Sequence, residues 1–345
     1  MRLSVLDLVP VRTDQTTSDA LAATVRLAQA ADRLGFTRYW LAEHHNMPAV
    51  AATSPPVLIA LLAARTERIR LGSGGVMLPN HAPLAVAEQF ALLEAAAPGR
   101  IDLGLGRAPG SDPVTSVMLN VTDEAVANFP RYLDEIAAMM SSGGVHVELP
   151  ARLGRTDYVL RATPAAVGEP KLWLLGSSMY SAHLAAAKGL PYVFAHHFSG
   201  HGTEEALAVY RDEFRPSDLL SEPVTFLTVN ASVASTAAEA NALLLPNLQS
   251  MARLRTGQPL RALDLVEDAR AATPSAQEHA IIDAMRARTI VGAPAEAATQ
   301  VLELAENFGV DEVMIHPVGA AYRGTDPATA PAREQTLELL AKELF

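Results

Sequence analysis

The sequence predicts a (β/α)8 TIM barrel, a closed ring of parallel strands with a helix after each, and three observations predict it. Strand-like and helical periodicities alternate along all 345 residues, the pattern of βα units. The strand-like runs number eight, which favours closure over an open doubly wound sheet. Titratable and glycine-rich runs follow these strands directly, and the carboxyl ends of parallel strands are where such folds keep their chemistry.

The elements follow in order. Strand 3–8 leads to helix 18–34, with Ser18 or Asp19 ahead of an apolar face and Gly35 at its end. Strands 38–42, 69–76 and 101–105 precede helices 55–65, 84–96 and 126–140. Strand 172–175 precedes helix 178–188, which Gly189 closes, and strand 192–195 precedes helix 204–214. Strand 224–233 runs into helix 236–244, where Thr236 and Glu239 have the spacing of a capping box. Helix 295–308 ends at Gly309, strand 312–315 is the last, and helix 331–344 closes the chain. Two stretches break the rhythm. Residues 143–164 hold runs 145–149 and 158–160 around a polar turn, a small hairpin insertion. Residues 245–288 show no clear strand, and this lid-like insertion before the last strand reads equally as a cover for the active face or an inert helical surface. The whole chain, 1–345, reads as one domain.

Composition limits the chemistry. A net charge of −11 without a basic run argues against nucleic acid or an anionic membrane as partner. The absence of cysteine removes disulfides, thiolate zinc sites and cysteine nucleophiles. No signal peptide is read at the N-terminus and no run approaches ~20 apolar residues, so the expectation is a cytoplasmic protein.

The most informative run is Tyr-Trp-Leu-Ala-Glu-His-His-Asn-Met-Pro at 39–48, where a short apolar segment delivers Glu43, His44 and His45 to a turn. Its plain alternatives are backbone-capping histidines or a surface metal clip. Gly72-Ser73-Gly74-Gly75 ends the third strand, either so that a flat ligand can approach the backbone or as a bulge at a barrel corner. Arg107, in Gly104-Leu105-Gly106-Arg107-Ala108-Pro109-Gly110, suits an oxyanion or a structural salt bridge. Gly176, Ser177 and Ser178 open a helix, and free amides with serine hydroxyls there make an anion site. With Arg107 near, a phosphate-bearing cofactor is the better reading. His196 and His197 end the sixth strand, as pocket lining or as caps.

These runs together, with Val76-Met77-Leu78-Pro79-Asn80-His81, Gly99-Arg100-Ile101-Asp102 and Val291-Gly292-Ala293-Pro294, resemble the bacterial luciferase-like monooxygenases over most of the chain and in the same order. The resemblance implies a barrel that binds FMN at its strand ends and uses reduced flavin, supplied by a separate flavin reductase, with oxygen to oxygenate a small organic substrate such as an aldehyde. It places His44 as the acid/base group, Glu43 orienting or hydrogen-bonding nearby, Gly74-Gly75 as a cis peptide under the flavin ring, and Arg107, Ser177 and the Ser178 amides on the phosphate. It also implies a homodimer through the second and third helices, and a mobile loop at 245–288 with Arg286 and Arg288 near its end. The chain departs from the light-emitting members at Gly106, where those carry a cysteine, and at Phe129, where they carry a second phosphate-binding arginine. Light emission therefore does not follow from the resemblance. Three other readings remain open: a deazaflavin-dependent hydride-transfer enzyme on the same fold, a non-catalytic flavin-binding protein, and a metal-dependent hydrolase, for which the first strand offers only Asp7.

Overall fold

The computed structural model describes residues 1–108, 110–149, 152, 158–163, 165 and 168–345; Pro109 and Pro164 of the runs above lie outside that set. Twelve strands are present: β1 (Arg2–Asp7), β2 (Arg38–Leu41), β3 (Arg70–Ser73), β4 (Val76–Met77), β5 (Ile101–Gly106), β6 (Val145–Val147), β7 (Tyr158–Leu160), β8 (Lys171–Gly176), β9 (Tyr192–Phe194), β10 (Thr225–Val233), β11 (Ile290–Gly292) and β12 (Glu312–Pro317). All pairings in the main sheet are parallel, in the order β10-β12-β1-β2-β3-β5-β8-β9, and β9 pairs back onto β10 to close an eight-strand barrel. The (β/α)8 barrel is therefore the fold. The hairpin is present as antiparallel β6–β7.

The elements form for local reasons. The first helix, Thr17–Leu34, starts one residue earlier than expected, because Thr16 forms the capping box with Asp19, and it ends where Gly35 turns left-handed. The expected single strand 69–76 is broken. Ser73 ends β3, the Gly74–Gly75 peptide is cis, and β4 resumes against Leu105 and Gly106 of β5. The hydroxyl of Ser73 bridges the break, donating to the Gly104 carbonyl and accepting from its N–H.

The barrel interior is filled in layers. At the amino-terminal end Arg38 holds Asp102 at 2.8 Å and Glu312 at 2.7 Å, and Arg70 reaches Asp102 at 2.6 Å. Burial works against the charge on Arg38, but the two carboxylates outweigh it, so the guanidinium is held more firmly protonated than usual. Its carbon lies 4.8 Å from the Trp173 ring centroid. Above it Trp40, Trp173 and Phe226 pack with centroids 5.1 to 5.5 Å apart, joined by Leu6, Val193 and Met314. At the other end of β1, Asp7 ties Thr24, Tyr39 and Arg333 together, joining the first and last helices to the barrel.

Residues 245–288 differ from the expected helix end. Helix Ala237–Arg255 continues through Pro246, where a proline removes the internal bond to the Ala242 carbonyl; the adjoining Leu243 carbonyl accepts from Ala320 N–H at 2.9 Å. Helices Val266–Ala271 and Ala276–Arg286 follow. Leu248, Ala252, Ile282 and Met285 pack together with Val318, and Leu263 is bonded to Val11 and Thr13. The insertion is thus a helical cap docked beside the carboxyl ends of β1 and β12, and β11 after it extends β10.

Candidate active site

The site is assembled from loops at the carboxyl ends of the barrel strands. Just past β2, Glu43 is fully buried and accepts four hydrogen bonds: from Met77 N–H at 3.0 Å, Asn80 Nδ2 at 3.1 Å, His81 Nε2 at 2.8 Å and His45 Nε2 at 2.9 Å. Burial pushes its pKa up, but the bonds from His81 and His45 and the Met77 amide outweigh that, so the carboxyl stays below its usual range. Glu43 therefore fixes the loop after β2 to the loop after β4.

His44 faces the other way. Its backbone N–H donates to Ala52, and its Nδ1 lies 3.3 Å from the Gly110 carbonyl. A carbonyl can only accept, so Nδ1 carries the proton and Nε2 is left as a lone pair. Burial lowers the pKa of His44, with the Gly110 carbonyl and Glu43 opposing. The imidazole is a neutral base near pH 7.

Arg107, past β5, lies with its guanidinium carbon 4.0 Å from the Tyr180 ring centroid. No ion pair to Arg107 occurs among the described residues. Tyr180 stands in the first turn of helix Met179–Lys188, whose N-cap Ser178 makes no side-chain capping bond. Ser177 and Ser178 are exposed. A cation without an acid, two uncommitted hydroxyls and an open helix terminus form a donor set for a phosphate, so the residues present fit the phosphate end of a flavin nucleotide.

The far side of the mouth carries more imidazoles. His197, in the short helix His196–Ser199, bonds Thr228 at 2.8 Å, and His316 of β12 bonds Asn230 at 2.8 Å. The two rings are edge-on, with centroids 6.0 Å apart.

Comparison with known proteins agrees with this geometry. The family model for luciferase-like monooxygenases matches residues 1–312. The chain belongs to the luciferase-like monooxygenase family. A protein of Escherichia coli (strain K12) named luciferase-like monooxygenase is 36% identical over 91% of this chain and 90% of its own. An N-acetyl-S-alkylcysteine monooxygenase of Bacillus subtilis is 40% identical over 62% of each chain. Among solved structures, apo-MsnO8 superposes with a TM-score of 0.84 at 33% identity, covering 99% of this chain and 98% of that one. Two more distant barrels share the fold: the FMN-bound oxygenating constituent of 3,6-diketocamphane monooxygenase of Pseudomonas putida (TM-score 0.73, 18% identity, 100% and 97% covered) and an F420-dependent tetrahydromethanopterin reductase of Methanopyrus kandleri (0.67, 16%, 99% and 97%). The chain is thus an oxidoreductase of the luciferase-like monooxygenase family, and its barrel fold is shared by FMN-bound and F420-dependent enzymes.

Within this member of the family, the residues singled out in the sequence fall into two groups. Glu43 and His44 sit at one loop, but Glu43 bonds His45 and His81 rather than His44. Arg107, Ser177 and Ser178 share one rim through Tyr180. The glycines divide by role. A Cβ on Gly74 would meet Leu6 at 2.9 Å, one on Gly75 the Gly104 carbonyl at 2.8 Å, and one on Gly176 the Ser181 side chain. Packing alone therefore requires glycine at Gly75, against backbone, and at Gly176, against the Ser181 Cβ, whereas at Gly74 the Leu6 side-chain end can give way. Phe129 is buried in the core and offers no cation to a phosphate. Sequence reading gave no role to Asn80 and His81, although both stand in a quoted run, and passed over Tyr180, Thr228, Asn230 and His316. A histidine at the last residue but one of β12 was a signal available to it.

Proposed function

We propose that the protein is a flavin-dependent monooxygenase that takes reduced FMN from a separate flavin reductase and uses dioxygen to oxygenate a small organic substrate, an aldehyde being the simplest case. The observation that carries this reading is Arg107, without an ion pair among the described residues, stacked on Tyr180 at the open N-terminus of helix Met179–Lys188, on the same barrel mouth as the neutral His44. Arg107, Ser177 and the amides following Ser178 would hold the FMN phosphate. Bound reduced FMN supplies the electrons that activate dioxygen. His44 holds or moves a proton at Nε2, and Glu43 keeps the surrounding loops in register. The helical insertion 245–288 limits water at the mouth, since a dry site protects reactive species.

The same reading has the protein in the cytoplasm as a homodimer pairing through helices Pro55–Ala63 and Pro83–Ala96, whose Val57 and Leu92 are 67% and 57% exposed. No helix among the described residues is long and apolar enough to cross a membrane. The test is an anaerobic titration with FMNH2, then an oxygen pulse in the presence of a long-chain aldehyde. Saturable binding and acid product in proportion to oxygen consumed are expected. If reduced FMN does not bind while reduced F420 does, hydride transfer by a deazaflavin replaces this reading.

A further inference from the structure

The barrel interior below the mouth has an unusual wall. Along β10, Leu227, Val229 and Ala231 belong to the main core between strands and helices, while Phe226 joins the interior cluster of Leu6, Trp40, Trp173 and Met314. Side chains alternate along a strand, so Thr228 and Asn230 continue the interior row above Phe226. On β12 the same alternation puts His316 above Met314, and His316 is the register partner of Asn230. The floor is aromatic and aliphatic; the wall above it on the β9–β10–β12 side is Thr228, Asn230, His197 and His316. Arg107 follows β5, which lies four strands from β12 around the eight-strand ring and therefore opposite it.

The hydrogen-bond directions on this wall are fixed. Thr228 Oγ1 donates to the Phe194 carbonyl at 3.2 Å, so it accepts from His197, whose Nδ1 must carry the proton. Asn230 Nδ2 donates to the His197 carbonyl at 2.9 Å, which turns its Oδ1 toward His316 and makes His316 Nδ1 the donor. Each ring therefore presents an unprotonated Nε2. Burial, followed by the charges of His44 and His196 for His197 and of His197 and Arg333 for His316, lowers both pKa values to about 3. Neither ring becomes a cation near neutrality, and neither can recognise a carboxylate.

We propose that Nε2 of His197 and Nε2 of His316 form an acceptor-only substrate subsite across the lumen from Arg107, selecting a molecule with an apolar body and an uncharged hydrogen-bond donor, a hydroxyl or amide N–H. The inference rests on the flavin reading for its placement beside a reactive centre, and it narrows the small organic substrate of that reading to one that carries such a donor beside the group that is oxygenated. His197 and His316 are positioning residues; they are not assigned any proton transfer. A site built to accept a donor discriminates strongly against the analogue lacking it.

The probes are octan-1-ol, its isomer heptyl methyl ether, and octanoate, titrated at pH 7 into protein labelled with 15N-histidine and saturated with oxidised FMN. Before addition, both rings should show the neutral Nδ1–H form. Octan-1-ol should shift the Nε2 resonances of both and bind about tenfold more tightly than the ether, the effect of one directed hydrogen bond, with octanoate the weakest. His316→Phe and His197→Phe should erase the alcohol–ether difference at unchanged FMN affinity. Equal binding of alcohol and ether, preference for octanoate, an Nε2–H ring, or no shift with any probe overturns the proposal. Because the tautomers are read on the wild type, a variant that fails to fold leaves the test standing. Failure to bind FMN in the same samples would instead count against the flavin reading alone.

Discussion

Replacing Glu43 by glutamine tests the claim that one buried carboxylate fastens the active-site loops. The side chain keeps its volume but accepts at one atom only. If its oxygen stays toward Asn80, His45 and His81, its NH2 faces the Met77 N–H, donor against donor, at what is now a 3.0 Å hydrogen bond. Losing a charge-assisted bond and leaving its donor unsatisfied costs about 1.5–3 kcal/mol. The other three bonds lose their charge assistance, but the side chains of His45 and His81 are 18% and 34% exposed and water recovers part of that loss. The expected total is about 3 kcal/mol. At roughly 2 cal/mol/K per residue of unfolding entropy, a chain of 345 residues converts this to a fall in Tm of about 4 °C. Calorimetry reads it directly. The carboxyl's folded pKa lies below the ordinary 4.5, so its stabilisation is complete above that value and is lost as pH falls through the folded pKa. The gap between wild type and variant should hold from pH 7 to 5 and narrow below 4.5. A fall under about 1 °C, or a gap that stays constant into strong acid, would refute the reasoning.

Four further outcomes follow from the site and the scaffold. Arg107→Ala should weaken FMN binding about tenfold or more, the worth of one charge-assisted phosphate contact; a titration giving an unchanged Kd would move the phosphate elsewhere. His44→Ala should abolish oxygenation with FMN affinity retained, and in wild type the acid limb of kcat/KM should lie below pH 6.5, because His44 titrates below its ordinary value. Gly104→Ala should yield no folded protein, since its Cβ would drive into the Ser73 carbonyl and Leu175; a native circular dichroism melt would contradict that. Leu92→Asp should convert the dimer to monomer in sedimentation, and an unaltered dimer would place the interface on another face.

The barrel was legible because its evidence is local and repeated: apolar strands, capped helices and glycine stops recur in register along the chain. The Glu43-His44 run was legible as a candidate site because it brings an acid and an imidazole to a strand end. What escaped was longer in range. That Glu43 serves His81 and Asn80 rather than His44 depends on how the chain bends between β3 and β4, 34 to 38 residues away. The helix expected over 236–244 runs on to Arg255 through Pro246, and Ala320, brought in from beyond β12, bonds the Leu243 carbonyl close by. Tyr180 stacks on Arg107 across two strands, a contact without a sequence signature. His316 and Asn230 pair only because β10 and β12 are neighbours in the closed ring, a consequence of closure itself.

The ionic and aromatic stack at the amino-terminal end of the barrel gives the lumen a sealed base. Arg38 with Asp102 and Glu312, roofed by Trp40, Trp173 and Phe226, leaves no passage in that direction. A ligand that enters from the mouth must leave by the same side. Under the proposed function, cofactor, gas, substrate and product would share one doorway, and clearance of that doorway would be a step of turnover in its own right.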